Sequence, residues 1–236
     1  MKCEAQDINS VNTTHSLNFT PVRHETIQGS VYEELRTMLM TGKFLPGQAL
    51  KIADLAQTFG TSAQPVRESI RQLVAEHALD ASANRSARVP KLSSVQLEDL
   101  RRTRLALESL AAELAATQVT PDQIAHLEKI LDDELSSDEN RDIISSISRN
   151  LEFHFSLYRY SKSEVLPPLI ESLWMRIGPN IRNAAEYFDA GEGRGVEMHI
   201  QLIAALKAKD AAGARAAIEN DINRFFDLIA EISQQD

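Results

Sequence analysis

One stretch decides the fold, residues 31–73, which reads VYEELRTMLMTGKFLPGQALKIADLAQTFGTSAQPVRESIRQL. Apolar residues recur in it at helical spacing in three short runs, and a glycine follows each of the first two. Gly42 and the pair Pro46–Gly47 separate the first run from the second. Gly60 suits the left-handed backbone of a helix end. The pattern therefore predicts three short helices joined by tight turns.

The third helix and the residues after it complete the motif. Ser62 stands where it can cap this helix, and Pro65 falls in the first turn, where a missing backbone N–H costs nothing. We expect the helix to end near Glu76. From Leu79 to Leu92, short stretches flank Asn84-Arg85-Ser86, which predicts a small β-hairpin. Three helices followed by a hairpin indicate a winged helix-turn-helix.

Beyond Ser93 the pattern is helical almost to the end of the chain. Apolar residues recur at helical spacing, and the alternation that marks a strand is absent. The predicted helices span about residues 95–117, 121–135, 140–162, 164–188, 195–208 and 211–233. We expect a mainly α protein with an N-terminal winged helix-turn-helix, a small β wing and a C-terminal antiparallel bundle of about six helices.

These patterns divide the chain into three segments. Residues 1–27 are polar and lack an apolar period, so we expect a flexible tail. Residues 28–92 form the predicted DNA-binding domain, and residues 93–236 form the predicted helical domain. A length of 236 residues with 43% apolar content is sufficient for two packed cores.

Charge is distributed unevenly over these segments, within a net charge of −9 at pH 7. Residues 21–92 carry nine Lys/Arg against seven Asp/Glu, whereas residues 93–236 carry fifteen against twenty-five. An acidic body repels nucleic acid at long range, so only the first of these segments tolerates a phosphate surface. Any contact with DNA is therefore expected there.

We expect neither a membrane span nor an export signal. The apolar runs fall short of the roughly 18 residues that a membrane helix needs, and residues 1–28 lack a basic-then-apolar order. Cys3 is the only cysteine, which excludes an internal disulfide and a cysteine-cluster metal site. These features favour a cytoplasmic protein without a membrane partner.

A helix-turn-helix presents the first turns of its second helix to base edges, while nearby basic groups hold phosphates. Two arginines four residues apart share a face of the third helix, and a glutamine in its first turn suits adenine. Two more arginines lie at and just after the predicted wing tip. The candidate DNA-binding residues are Ser62, Gln64, Arg67, Arg71, Arg85 and Arg88. Surface ion pairs, such as Arg71 with Glu76, are the alternative.

Polar residues interrupt the apolar stripes of the predicted bundle, where burial is costly unless the group is paired or liganded. Arg104 interrupts the stripe of the first bundle helix. His154 lies on a later stripe with Asn150 one turn before it, while His199 and Asp221 lie on two further stripes. A common interior site would account for all five residues.

Each of these residues also has a structural interpretation. A histidine on an apolar stripe is commonly a hydrogen-bonded core residue. Arg104 can pair with a carboxylate such as Glu108, and Asp221 can pair with Arg224. Both interpretations stay open from the sequence alone.

The stretch that decides the fold resembles the DNA-binding domain of the GntR regulators. The shared motifs are Leu45-Pro46-Gly47, Asp54-Leu55-Ala56 and Ser62-x-x-Pro65-Val66-Arg67-Glu68. The sequence departs from the family pattern at Ala63, where a basic residue is usual, and at His77 and Ser86, where glycines are common. The resemblance implies a homodimer on a pseudo-palindromic operator.

The rest of the chain resembles the FCD ligand-binding domain, which accompanies this DNA-binding domain in the FadR subfamily. The motifs are Arg104 in RLALESLAAELAA, the pair Asn150-x-x-x-His154, His199 in EMHIQLIAAL, and ARAAIEND before Ile222. In metal-binding members an Asp or Asn and three His hold a divalent ion, and Asp221 falls where the last His is expected.

The resemblance implies a metal site and an effector contact. Its metal ligands would be Asn150, His154, His199 and Asp221, a set that suits zinc, nickel or manganese. Arg104 matches the arginine that faces the ligand, and a guanidinium can grip a carboxylate in bidentate fashion. A small organic acid between the metal and Arg104 is the effector that we expect.

We therefore expect a ligand-responsive transcription regulator, acting by repression, that binds operator DNA as a homodimer. A metal-free effector-binding regulator and a pure metal sensor are alternatives of the same class. A metal-dependent helical-bundle enzyme is the alternative from another class. The sequence contains no G-x-S-x-G, no H-E-x-x-H and no phosphate loop, and we assign the glycine-rich run 191–195 to a helix connection.

Overall fold

In the computed structural model, residues 26–82, 86–135, 143–189 and 194–232 are described, and they form nine helices and three short strands. The helices are α1 (Ile27–Met40), α2 (Ile52–Thr58), α3 (Ala63–Ala75), α4 (Ser94–Gln118), α5 (Pro121–Leu135), α6 (Ile143–Tyr160), α7 (Leu166–Asp189), α8 (Arg194–Lys207) and α9 (Ala211–Ile232). The strands are β1 (Ala49–Leu50), β2 (Asp80–Ser82) and β3 (Ser86–Arg88). The predicted mainly α architecture is confirmed.

Three predicted features lie wholly or mostly outside the described residues. They are the tail at residues 1–27, the wing tip at Asn84-Arg85 and the start of the glycine-rich run at residues 191–195. The predicted division of the chain after residue 92 stays a prediction.

The wing is a three-stranded antiparallel sheet in the order β1-β3-β2. Strands β2 and β3 form the predicted hairpin, in which Ala81 lies opposite Ala87. Strand β1 pairs Leu50 with Ala87, and the sequence pattern does not predict this strand. Two residues are too few to show the alternation of a strand.

Helix α3 has one buried and one open face. Val66, Ile70 and Leu73 are buried, and the helix packs against α1, whose Leu35 and Leu39 are buried as well. These residues follow the helical period, so the core contacts fix the rotation of α3 about its axis. Of the residues between them, Glu68, Arg71 and Gln72 are exposed and Arg67 is half-buried, whereas Ser69 is buried.

The residues that follow α2 and α3 have a left-handed backbone conformation. Gly60 follows α2 with a φ of +60°, as predicted. His77 follows α3 with a φ of +58°, a conformation that costs a residue with a side chain roughly 1–2 kcal/mol. Ser62 occupies the N-cap position of α3, but its exposed hydroxyl accepts no capping hydrogen bond, so the predicted capping contact is not formed.

The C-terminal bundle is organised around α4 and α9, which pack along each other. A capping box of Ser93 and Gln96 begins α4. Helices α6 and α7 pack on α4, and α8 packs on α9. All six bundle helices begin and end within three residues of their predicted bounds.

Helix α7 also packs against α1 of the DNA-binding segment. A Cβ added at Gly178 would lie 2.2 Å from the carbonyl oxygen of Leu39 and 2.7 Å from Cα of Met40, so the approach requires glycine. Arg36 of α1 forms an ion pair with Glu171 of α7. We call this contact the α1–α7 joint.

Candidate functional site

The open face of α3 carries the predicted base-reading residues. Gln64 and Arg71 are exposed and Arg67 is half-buried. Arg67 Nη1 donates to Gln64 Oε1 over 2.9 Å, and Gln64 Nε2 donates to Glu68 Oε1 over 2.7 Å. These bonds align an arginine and an amide on the face that a helix-turn-helix presents to the major groove.

The wing borders the same face. A cavity of about 470 Å³ between α3 and the hairpin is lined by Arg67, Arg71 and Ser86 among others. Arg88 of β3 is exposed and donates to the carbonyl oxygen of Gly47. Arg85 lies outside the described residues, so its predicted contact with DNA stays a prediction.

Three side chains from different helices meet inside the bundle. Nε2 of His154 on α6 lies 3.3 Å from Nε2 of His199 on α8 and 3.4 Å from Oδ2 of Asp221 on α9. Both histidines are buried and Asp221 is half-buried. One ligand atom of each residue lies within 4.8 Å of the other two. We call these three residues the His–His–Asp cluster.

Asn150 is the fourth predicted ligand. It lies on α6 one turn before His154 and is half-buried. Three of the four predicted ligands thus come together, and the part of Asn150 in a metal site stays a prediction.

Burial determines the charge of the cluster. It lowers the pKa of His199 to about 4, and burial together with the nearby His199 and Arg104 lowers the pKa of His154 well below its ordinary value. Burial raises the pKa of Asp221 to about 6, although the positive charge of Arg104 opposes the rise. At neutral pH the cluster therefore presents two neutral imidazoles and a carboxylate, the protonation states that bind metal ions.

Arg104 is buried close to the cluster and is paired with Glu108, the alternative that the sequence leaves open. Its Nε and Nη2 atoms donate to the two carboxylate oxygens over 2.5 and 3.1 Å. Glu108 also accepts hydrogen bonds from the Tyr158 hydroxyl over 2.6 Å and from Trp174 Nε1 over 3.1 Å. The guanidinium lies 4.6 Å from the centre of the Trp174 ring. Arg104 is thus held in one position by charge and by packing.

We expect Glu108→Gln to destabilise the protein strongly. The amide leaves the buried Arg104 without a compensating charge, and breaking a buried ion pair typically costs about 3–5 kcal/mol. Urea unfolding measures the change in the free energy of unfolding. Glu98→Gln is the matched control, because Glu98 pairs with Arg102 at the same spacing on the surface of α4. Equal midpoints for the two variants would contradict this account.

Sequence reasoning misses three residues around the cluster. Trp174 packs against Arg104, and the Phe153 ring stacks on that of His199 with centroids 4.1 Å apart. Glu134 of α5 has a carboxylate oxygen 3.9 Å from His199 Nδ1. Trp174 is the only tryptophan in the chain, and this rarity is a sequence signal that could have indicated its role. Glu134 ends an acidic run of the kind expected on a solvated surface, so the sequence does not indicate that it lies near the cluster.

Comparison with known proteins identifies the two parts of the chain. Residues 27–89 match the bacterial regulatory proteins of the gntR family, and residues 99–224 match the FCD domain. The HTH-type transcriptional regulator McbR of Escherichia coli is 33% identical over 195 residues, covering 82% of this chain and 88% of McbR. The solved structure of E. coli McbR/YncC has a TM-score of 0.83 and 30% identity, covering 88% of this chain and 99% of that one.

Two further relatives are also transcription regulators. The Nta operon transcriptional regulator of Aminobacter aminovorans is 30% identical over 198 residues, covering 83% of this chain and 90% of that protein. The HTH-type transcriptional repressor RspR of E. coli is 22% identical over 211 residues, covering 89% of this chain and 92% of that repressor.

The fold and these relatives define a winged helix-turn-helix transcription regulator and not an enzyme. The chain belongs to the GntR family and carries an FCD domain, a combination that corresponds to the FadR-like subfamily. The predicted family is thereby confirmed. Within the described ranges, the helices lack the combination of length and low polarity that a membrane span requires.

Proposed function

We propose that this protein is a homodimeric repressor whose grip on operator DNA depends on a small carboxylate bound beside a divalent metal ion. One observation carries the proposal: two uncharged imidazoles and a carboxylate converge inside the FCD domain, next to a buried arginine. Polar groups are costly to bury, so their convergence favours a ligand site over unrelated core positions.

The spacing of the cluster fits a metal ion. Ligand atoms about 2.0 Å from zinc in tetrahedral geometry lie about 3.3 Å apart. The two distances from His154 Nε2, 3.3 Å to His199 Nε2 and 3.4 Å to Asp221 Oδ2, match this value. His154, His199 and Asp221 would hold the ion, with Asn150 as a fourth ligand. The bound ion would supply positive charge that attracts an anion.

The surroundings of the cluster favour an anionic effector. Two neutral imidazoles and one carboxylate leave a divalent ion with net positive charge. Glu108 occupies the Nε and Nη2 edge of Arg104, whereas a guanidinium has five N–H donors in all. A carboxylate can therefore bind the end of Arg104 that bears Nη1 while the buried ion pair stays intact.

RspR is itself a transcriptional repressor, which favours repression as the mode of action of this protein.

Operator binding by one protomer would be weak, because residues 21–92 have an excess of only two positive charges. Two-fold pairing doubles the phosphate contacts and matches a pseudo-palindromic site. Light scattering with and without operator tests this. We expect the mass of two chains in both cases, and the mass of one chain would contradict the dimer.

The α1–α7 joint supplies a route from the cluster to the DNA-binding segment. Trp174 of α7 packs on His154 with ring centroids 5.5 Å apart, and Gly178 lies one turn further along α7 against α1. A rearrangement around His154 would therefore move a helix that holds α1. Coupling of this kind requires two arrangements of α7 that differ in ligand affinity.

We expect Gly178→Ala to weaken the response of operator binding to ligands. The new Cβ, 2.2 Å from the Leu39 carbonyl oxygen, forces α1 and α7 apart, at a cost of about 1–3 kcal/mol for overpacking. Fluorescence anisotropy with labelled operator measures the response to zinc and small carboxylates. Gly29→Ala is the matched control, because its Cβ meets an ordinary contact at 3.4 Å. A full response in the Gly178 variant would contradict this route.

Selection of genomic DNA fragments by the purified protein tests the proposed function as a whole. We expect enrichment of a pseudo-palindromic sequence, and we expect the protein's affinity for it to change when zinc and small carboxylates are added. Failure to enrich any sequence would contradict operator binding. Enrichment with an affinity that no added compound changes would contradict the effector site.

A further inference from the structure

The buried chain Glu108–Tyr158–His154 runs from the Arg104 ion pair to the His–His–Asp cluster. The Tyr158 hydroxyl lies 2.6 Å from Glu108 Oε2 and 3.1 Å from His154 Nδ1. All three residues are buried. In the proposed function Glu108 holds Arg104, and Tyr158 has no role.

The donor and the acceptor of each hydrogen bond can be deduced from the protons that each group carries. An ionised carboxylate only accepts, so the single proton of the phenol is donated to Glu108. A phenol ordinarily has a pKa of about 10, so the proton stays on Tyr158 at neutral pH. Towards His154 the phenol oxygen then acts as an acceptor. His154 must therefore donate from Nδ1.

A neutral imidazole with its proton on Nδ1 has an unprotonated Nε2. In His154 this is the nitrogen that faces the other members of the cluster. Its lone pair is therefore directed at the place where an ion would lie. The other tautomer would direct an N–H at that place, and this proton would have to leave Nε2 before a metal could bind.

We propose that Glu108, acting through Tyr158, is a positioning residue that fixes His154 in the Nδ1–H tautomer and so makes Nε2 a metal ligand. This inference rests on the proposed metal site. Partners that orient a ligating histidine from behind usually contribute 10- to 100-fold in metal affinity.

His199 differs from His154 in its surroundings. Its Nδ1 lies 3.9 Å from Glu134 Oε2, beyond hydrogen-bond distance, while its Nε2 is 3.3 Å from His154 Nε2. Without a metal, His199 can donate from Nε2 to the lone pair of His154. When a metal ion binds, His199 has to lose the proton from Nε2. In the neutral tautomer that remains, the proton is on Nδ1 of His199 and faces the Glu134 carboxylate. Only His154 is therefore fixed before the ion arrives.

The test combines nuclear magnetic resonance with zinc titration of the full-length protein. Long-range ¹H–¹⁵N spectra of the chelator-treated protein report the tautomer of each histidine, and His154→Ala assigns the signal. We expect the Nδ1–H tautomer for His154 in the wild type. In Tyr158→Phe we expect that tautomer to be lost or mixed and zinc to bind about 10- to 100-fold more weakly.

Tyr160→Phe is the matched control. Its hydroxyl lies 2.8 Å from Nδ1 of His126, on α5 and outside the cluster. We expect this variant to keep both the His154 tautomer and the zinc affinity. If both variants weaken zinc binding equally, the positioning role of Tyr158 is wrong.

The outcomes separate this inference from the proposed function. An Nε2–H tautomer of His154 in the wild-type protein would overturn the inference whether or not any variant folds. An unchanged tautomer and zinc affinity in a folded Tyr158→Phe protein would overturn it as well. If the wild type has the Nδ1–H tautomer but binds no zinc, the metal part of the proposed function fails while the fixed tautomer stands.

Discussion

We expect the double variant Arg67→Ala, Arg71→Ala to lose sequence-specific operator binding and to remain folded. Arg71 is exposed and Arg67 is half-buried, and neither belongs to the buried apolar core that includes Val66 and Ile70, so their removal should leave that core intact. Each arginine that reads a base contributes roughly 1–3 kcal/mol to specific binding, and the removal of each one that holds a phosphate lowers the salt slope by about one. A gel-shift titration with selected operator fragments at two salt concentrations measures both effects.

A charge-matched variant shows whether the effect depends on position. Arg102→Ala, Arg215→Ala removes the same charge from the surface of the bundle, where these arginines pair with Glu98 and Glu113. We expect its operator affinity to stay close to that of the wild type. Equal loss in the two double variants would mean that net charge, and not recognition by α3, governs binding. Wild-type affinity in Arg67→Ala, Arg71→Ala would refute the assignment of α3.

The second large effect concerns the metal. We expect the wild-type protein, purified without a histidine tag, to contain about one divalent ion per chain, and His154→Ala, His199→Ala to contain almost none. The double variant removes both nitrogen ligands and leaves only the Asp221 carboxylate of the cluster. Elemental analysis after dialysis gives the content and also identifies the ion.

His126→Ala is the control for this experiment. His126 lies on α5 and contacts the hydroxyl of Tyr160, so its removal should leave the metal content unchanged. Equal metal content in the wild type and in His154→Ala, His199→Ala would refute the site. Absence of metal from the wild type, even after incubation with zinc, nickel or manganese, would leave the metal-free regulator as the correct alternative.

Much of the fold can be predicted because its signals are local. Gly42 and Gly60 mark the ends of α1 and α2, the pair Pro46–Gly47 marks the turn between these helices, and helical spacing marks every element of the bundle. Strand β1 cannot be predicted from the sequence, because its two residues form a strand only through their pairing with β3. The hydroxyl of Ser62 shows a related limit, since a residue can hold a capping position without forming the bond.

The cluster can be predicted for a different reason. His154, His199 and Asp221 lie on apolar stripes, and the period of a helix is enough to direct them into the core. The residues behind the cluster cannot be found in this way. Whether Trp174 or Glu134 reaches the cluster depends on how α7 and α5 are rotated against their neighbours, which the packing of the whole bundle decides.

The most direct test of the account is the operator affinity of the wild type and of His154→Ala, His199→Ala, measured with and without zinc and a panel of small carboxylates. We expect one carboxylate together with zinc to change the wild-type dissociation constant by about 5- to 150-fold, the usual range of allosteric coupling, and to leave that of the variant unchanged. A wild-type constant that no combination alters, or an equal response in the variant, would contradict it.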